Sequence, residues 1–179
     1  MNVAATPYFD SIWRWSQTYG VPVAWVEGVI QTESGWNPQA YRAEPQIHDA
    51  SYGLMQVLYS TARGLGYTGS PDGLFDPDTN IQLGTKLMGQ LIAQYGDDIL
   101  RVYSAYNSGK PDLYLTSTQV AANVARLLDN LQQFLEPVVA AAVENVSEAA
   151  LSIPIPNTPD DPLPLVVLAG VVLVAIALI

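Results

Sequence analysis

A single glutamate is the first residue whose type and position indicate chemistry. Glu33 ends an apolar helical pattern in "VIQTESG", four residues after Val29 and three after Ile30. This spacing directs its carboxyl group to the face of the helix that packs inward. Burial disfavours the charged form, so we predict a raised pKa and a carboxylic acid that can donate a proton near neutral pH. From the helix alone, a partly solvated or arginine-paired glutamate is the simpler interpretation.

Three further motifs follow in the chain. They are "SYGLMQV" at 51–57, "TNIQLG" at 79–84 and "AYNSG" at 105–109. Together with "ESGWNP" at 33–38, and in this order, they resemble the SLT-type lytic transglycosylases of the goose-lysozyme-like superfamily. Each motif alone is weak, whereas four motifs in order over residues 8–130 are a specific signal.

The resemblance implies a lysozyme-like helical domain with a central cleft that binds peptidoglycan glycan strands. Glu33 matches the family's catalytic acid, which protonates the β-1,4 bond from N-acetylmuramic acid to N-acetylglucosamine. The same carboxylate then accepts a proton from the C6 hydroxyl of the muramic acid, which closes on C1 as a 1,6-anhydro ring. The substrate supplies the nucleophile, so one carboxylate serves where most glycosidases use two. We expect no cofactor and no metal.

The resemblance also suggests supporting residues. Gln56 has an amide that donates and accepts, which suits an N-acetyl group or a sugar hydroxyl. Tyr106 matches the phenol that hydrogen-bonds and orients the glutamate, a role compatible with a half-buried core position. Asn107 either caps its helix or lines the cleft. Met55, as core or pocket wall, and Ser51 complete the predicted set.

The loop after Glu33 departs from the family. It is several residues longer than in typical members, and Arg42 stands where the family often has a serine. It also carries Glu44 and Asp49, which we predict to be solvated. If either carboxylate reached across the cleft, it could hold a water, and the protein would be a hydrolytic goose-type lysozyme. A non-catalytic wall-binding protein is a further alternative, against which the intact Glu33 argues.

These residues must be positioned by helices, because helical spacing recurs and no alternating strand pattern is convincing. We therefore predict an all-α fold. Glycine and proline positions set the boundaries, with residues 35–50 as a long loop. The predicted helices cover about 8–19, 22–34, 51–65, 76–95 and 97–107, and a last one starts at Thr116.

Composition excludes several other classes of function. Seven basic and 17 acidic residues give a net charge of −10, and the basic residues are scattered. A strongly acidic surface repels phosphate backbones, so we exclude nucleic acid as a partner. The chain has no cysteine and one histidine, His48, which excludes thiolate catalysis and a histidine-rich zinc site. We predict His48 to be an exposed loop residue.

The chain is predicted to have four parts. They are a transglycosylase-like domain at 1–135, a helical extension at 136–152, a proline-rich linker at 153–162 and an apolar segment at 163–179. The last is 17 residues long and uncharged, at the short end of the ~17–25 residues that span a membrane. We predict a single-pass C-terminal anchor.

The predicted location follows from this anchor and from an N-terminus without the features of a secretory signal. We favour a virion-associated enzyme of a membrane-containing bacteriophage, which opens the cell wall locally during genome entry. Other virion membrane proteins would then be possible partners. A bacterial envelope enzyme attached through 163–179 is the alternative. No Lys or Arg follows Arg126, so the orientation of the anchor is not predicted.

Overall fold

The computed structural model describes residues 6–151, with side chains up to residue 135. This part of the chain forms six α-helices and one small antiparallel sheet. The elements are α1 (Phe9–Tyr19), α2 (Val23–Ser34), β1 (Tyr41–Glu44), β2 (Asp49–Tyr52), β3 (Val57–Leu58), α3 (Tyr59–Gly64), α4 (Pro77–Tyr95), α5 (Ile99–Ser108) and α6 (Thr118–Leu151). Short 3₁₀ turns cover Pro45–Ile47, Pro71–Phe75 and Leu113–Leu115.

The central helix of the core is α4, which packs against both α1 and α5. It begins at an Asp76 cap, whose carboxylate accepts the Thr79 N–H, and Pro77 occupies its first turn. Its core-facing side chains, among them Ile81 and Met88, are fully buried. α2 packs against α1 and contributes the fully buried Val26, Val29 and Ile30, as its apolar spacing predicts.

The prediction of an all-α fold is wrong between α2 and α3, where the expected long loop is a β-hairpin. Tyr41 pairs with Tyr52 and Glu44 with Asp49, and β3 extends the sheet beside β2. The strands are four, four and two residues long, too short for a period-two pattern to stand out. The exposed His48 turns the chain between β1 and β2 in a left-handed conformation, with φ 53°.

The helix predicted at 51–65 begins only at Tyr59. Gly53 and Gln56 have φ values of 71° and 48°, which a right-handed helix cannot contain. The segment between them is a turn that leads from β2 into β3. The motif "GLMQ" therefore forms a turn. Hydrogen bonds to Asn80 of α4 impose this conformation.

The chain divides into two units, Met1–Leu131 and Gln132–Ile179. All residues of the site described below belong to the first unit. α6 continues through Pro137 to Leu151, and the domain boundary at residue 135 remains a prediction. The linker predicted at 153–162 and the anchor predicted at 163–179 lie outside the described residues. Between residues 6 and 151, no helix has the length and apolarity needed to cross a membrane.

Candidate active site

Glu33 lies in the last turn of α2, at one wall of an open cleft of about 530 Å³. Gly35 ends the helix just beyond it, in a left-handed conformation with φ 57°, and its N–H bonds the Gln31 carbonyl. The Glu33 side chain is half-buried. The helix thus ends one residue after Glu33, at the point where the Glu33 carboxyl group lines the cleft.

The phenol that holds Glu33 belongs to Tyr103, whose Oη donates a hydrogen bond of 2.7 Å to Glu33 Oε1. Tyr103 is fully buried on α5. The prediction that Tyr106 orients the glutamate is wrong, because the Tyr106 Oη donates instead to the Met55 carbonyl, at 2.7 Å. The two rings are three positions apart on one helix and stack, with centroids 6.3 Å apart.

Burial raises the pKa of Glu33, the direction predicted from its helical position. The hydrogen bond from Tyr103, the charges of Arg42 and Arg126 and a hydrogen bond from Asn107 act in the opposite direction without cancelling the effect of burial. Burial likewise raises the pKa of Tyr103, and the neighbouring Glu33 carboxylate raises it further. Tyr103 therefore stays protonated and remains a fixed donor.

The turn at 53–56 is attached to α4 by one buried amide. Asn80 Oδ1 accepts the Met55 N–H at 2.8 Å, and its Nδ2 donates to the carbonyls of Tyr52 and Leu74, both at 2.8 Å. The residue is fully buried and all these groups are paired. Asn80 thus fixes the turn that carries Gln56, one of the residues that line the cleft.

Two glycines allow this close approach. A Cβ at Gly53 would lie 2.5 Å from Asn80 Nδ2 and 2.6 Å from the Leu74 carbonyl oxygen. A Cβ at Gly84, one turn along α4, would lie 2.5 Å from Met55 Sδ. All three distances are closer than such atoms approach in proteins, so packing requires the glycines of "GLMQ" and "TNIQLG".

The predicted residues of the turn have different positions. Gln56 and the buried Ser51 line the cleft. Gln56 Nε2 donates to the carbonyls of Ala40 and Gly53, so the N–H groups of its amide are used within the protein. Met55 is fully buried and packs against Gly84, so it supports the wall from behind.

Asn107 lines the cleft near Glu33, as one of its two predicted roles requires. Its Oδ1 accepts a hydrogen bond of 3.1 Å from Asn123 Nδ2 on α6. Arg126 in turn donates to Asn123 Oδ1, at 3.2 Å. This polar chain brings a positive charge from α6 towards Glu33.

The two loop acids have different environments. Glu44 lines the cleft and accepts a hydrogen bond of 2.6 Å from Arg42 Nε, so it is not the free carboxylate expected. Asp49 accepts the N–H groups of Ala50 and Ser60, at 2.8 and 3.0 Å. Burial alone would raise the pKa of Asp49, but the side-chain hydrogen bond with Ser60 and the backbone hydrogen bonds of Ala50, Ser60 and Tyr59 hold it below its usual value. Asp49 therefore holds the start of α3.

Sequence reasoning missed Tyr103, Asn80 and the ion pair of Arg42 with Glu44. Helical spacing could have identified Tyr103, because it lies one turn before Tyr106 on the same helix. No comparable signal existed for Arg42, whose direction depends on the strand register. Among the described side chains, which end at residue 135, no three Asp, Glu or His groups lie together so that they could hold a metal ion.

A mostly helical domain with a small sheet, and with the Glu33 carboxyl group at the wall of an open cleft, is typical of a lysozyme-like protein. The model of the transglycosylase SLT domain matches residues 10–126. The chain therefore belongs to this family.

Two curated relatives illustrate the similarity. The membrane-bound lytic murein transglycosylase C of Haemophilus influenzae (strain PittEE) is 33% identical over 144 residues, 73% of this chain and 36% of that protein. The soluble lytic murein transglycosylase of Escherichia coli (strain K12) is 30% identical over 109 residues, 57% of this chain and 16% of that protein. The chain thus spans about a third or less of the length of these relatives.

Solved structures agree on the fold. The 70 kDa soluble lytic transglycosylase of Escherichia coli superposes with a TM-score of 0.59 at 22% identity, over 72% of this chain and 24% of that one. An inactive mutant of the lytic transglycosylase Slt from Pseudomonas aeruginosa gives 0.52 at 22% identity, over 70% and 22%. These similarities establish a lysozyme-like fold for the matched region.

Proposed function

We propose that this chain is a peptidoglycan lytic transglycosylase with Glu33 as its acid and base. The observation that carries the proposal is the Glu33 carboxyl group, whose pKa is raised by burial and which bonds Tyr103 at the wall of the cleft. Family membership supports the substrate class, since the relatives are named as lytic murein transglycosylases. Gln56, Ser51 and Asn107 would contact the sugars.

The reaction would take place in two proton transfers. Neutral Glu33 gives its proton to the glycosidic oxygen as the bond from that oxygen to C1 of the muramic acid breaks, with the N-acetyl group assisting. The resulting carboxylate then accepts the proton of the C6 hydroxyl as that oxygen bonds C1. Glu33 ends protonated, no water is consumed, and the product carries a 1,6-anhydro end. Tyr103 bonds one carboxyl oxygen throughout and leaves the other for the proton transfers.

The test is mass spectrometry of the fragments released from purified peptidoglycan. We expect 1,6-anhydro ends from the native chain and at least a hundredfold loss of release from Glu33→Gln, about the contribution of a general acid. Glu27 is a matched control, because it lies on α2, is buried with a pKa raised by burial, and bonds Thr6 outside the cleft. Equal release by Glu33→Gln and Glu27→Gln would refute the assignment of Glu33.

Hydrolysis is a second candidate, because Glu44 does line the cleft. A hydrolase would need its carboxylate to hold a water and would leave reducing ends instead of anhydro ends. The Arg42 hydrogen bond to Glu44 argues against a free base there. Reducing ends that disappear in Glu44→Gln would establish hydrolysis and overturn the transglycosylase proposal.

Membrane attachment through residues 163–179 is a separate part of the proposal, supported by the apolar sequence of that segment. The full chain should pellet with membranes and be released by detergent but not by salt, while a chain ending at residue 162 should stay in the supernatant. Recovery of the full chain in the supernatant would contradict this attachment. Location in a virion or in a bacterial envelope stays a prediction, which assaying purified particles would test.

A further inference from the structure

The charges that line the cleft include one cation in a strongly acidic protein. The net charge is −10, and among the described lining residues the charged ones are Glu33, Glu44 and Arg42. Arg42 comes from the middle of β1 and pairs with Ser51 on β2, which also lines the cleft. Neither the packing of the fold nor the proton transfers of Glu33 require an arginine at this position in the cleft.

The Arg42 guanidinium is only partly used by the protein. Its Nε donates to Glu44 Oε1 at 2.6 Å, while the structure gives its two terminal nitrogens no partner among the described residues. The side chain is 59% exposed, against 23% for Glu44. Glu44 therefore occupies the Nε position of the guanidinium, and the outer edge with the two terminal nitrogens remains accessible to solvent.

That outer edge carries parallel N–H groups, which match the two oxygens of a carboxylate. Attachment to Glu44 fixes the direction of the guanidinium, so less conformational entropy is lost when a ligand binds. The charge of Arg42 is also felt at Glu33, because it lowers the pKa of that carboxyl group. A carboxylate on Arg42 would hence lie close to the bond that Glu33 is proposed to cleave.

We infer that Arg42, positioned by Glu44, forms a carboxylate-binding subsite beside Glu33. It takes the acidic group that the glycan carries next to the cleaved bond. Two sources share this chemistry: the lactyl carboxylate of a muramic acid without its peptide, and the carboxylates of the stem peptide. The inference rests on the proposed function for the glycan, while the carboxylate chemistry rests on Arg42 itself.

Binding is measured in the Glu33→Gln background by calorimetry, so that no ligand is consumed. The ligands are N-acetylglucosamine oligomers without a carboxylate, glycan strands freed of peptide by an amidase, and strands that keep uncrosslinked stem peptides. We expect tighter binding of at least one carboxylate-bearing ligand than of the neutral oligomer. Adding Arg42→Gln should reduce the affinity for that ligand by about tenfold. This is the contribution expected of a hydrogen bond to a charged group that is partly exposed to solvent. The ligand that loses affinity identifies the source.

Arg14→Gln is the matched control. Arg14 is 56% exposed, pairs with Asp78 and is absent from the cleft lining. The Arg14→Gln substitution therefore removes one positive charge from a site outside the cleft. Arg42→Lys keeps the charge without the planar edge and should lose part of the affinity. A second measurement leaves the hairpin unchanged and alters the ligand, by converting its carboxylate to an amide. The protein that retains Arg42 should bind the amide about tenfold more weakly than the carboxylate.

Equal affinity for the carboxylate and amide forms would overturn the inference, as would an unchanged preference in Arg42→Gln or an equal loss in Arg14→Gln. Failure of the proposed function looks different. If the native chain releases no fragments from peptidoglycan but binding depends on Arg42, the carboxylate subsite stands and the catalytic proposal fails. If anhydro ends are released and Arg42→Gln leaves the affinities unchanged, only this inference fails.

Discussion

Tyr103 and Tyr106 have separate tasks although they lie one turn apart and stack on each other. The Tyr103 hydroxyl bonds the Glu33 carboxyl group, and the Tyr106 hydroxyl bonds a backbone carbonyl of the turn at 53–56. Removing the first hydroxyl should change the titration of the acid. Removing the second should change the stability of the turn. The two variants therefore separate an effect on chemistry from an effect on structure.

Tyr103→Phe should raise the pKa of Glu33 further, because the Tyr103 hydrogen bond is the largest influence that lowers it. If cleavage needs neutral Glu33, the alkaline limb of the pH profile of kcat/KM should move to higher pH. The carboxyl group also loses its orientation, so kcat should fall by about 10- to 100-fold, the worth of a hydrogen bond to a charged group. The measurement is a pH profile of fragment release.

Tyr106→Phe is the comparison for that experiment. It should leave the alkaline limb in place and reduce the free energy of unfolding by about 1–2 kcal/mol, because the Met55 carbonyl loses its donor. A limb that moves equally in both variants would show that the Tyr103 bond does not control Glu33.

Glu33→Gln should stabilise the fold near neutral pH. The folded pKa of Glu33 lies above its usual 4.5, so protonation favours the folded state, and this contribution is lost as pH rises through the folded pKa. Glutamine does not titrate. The variant should therefore match the native chain below pH 4.5 and be more stable than the native chain near neutrality. Urea unfolding at both pH values measures this, and a gain only at acidic pH would contradict it.

At the scale of elements, the cleft wall depends on how closely the turn at 53–56 approaches α4. Gly84→Ala should destabilise the chain by about 1–3 kcal/mol, because the added methyl group overlaps Met55 Sδ. The displaced turn carries Gln56, so glycan affinity should fall as well. Thermal unfolding and glycan binding measure the two effects.

Gly64→Ala is the control, because a Cβ at that position meets nothing within 4 Å at the end of α3. It should be neutral or slightly stabilising. Equal destabilisation by both alanines would mean that the Met55 contact is not the cause of the effect at Gly84.

The helices and the hairpin differ in how much of their structure the sequence predicts. α2, α4 and α5 were predictable because glycine, proline and capping residues mark their ends and apolar spacing marks their faces. The hairpin was not, because its strands are short and its register depends on pairing. The turn at 53–56 was mistaken for helix because its conformation is imposed by Asn80, 25 residues away from Met55. The spacing of apolar residues predicts the position of Glu33. Spacing also places Tyr103 and Tyr106 on one face of α5, but it does not tell which hydroxyl reaches Glu33.

At the scale of the whole molecule, residues 1–135 should fold alone. The core of the described part ends at Leu131, and the cleft lining ends at Gly109. A chain ending at Leu135 should unfold cooperatively and keep its glycan affinity. A chain ending at Ala125 loses Leu127 and Leu131, which contact α2 at Gly28, and should lose about 4 kcal/mol for two buried leucines. Circular dichroism during heating distinguishes these outcomes, and an unfolded 1–135 chain would refute the boundary.

The paired tyrosines of α5 have a mechanical consequence. One helix carries both the hydroxyl that bonds the Glu33 carboxyl group and the hydroxyl that bonds the turn at 53–56. A shift of α5 would therefore move both contacts together, so the positions of the acid and of the turn are coupled through this helix.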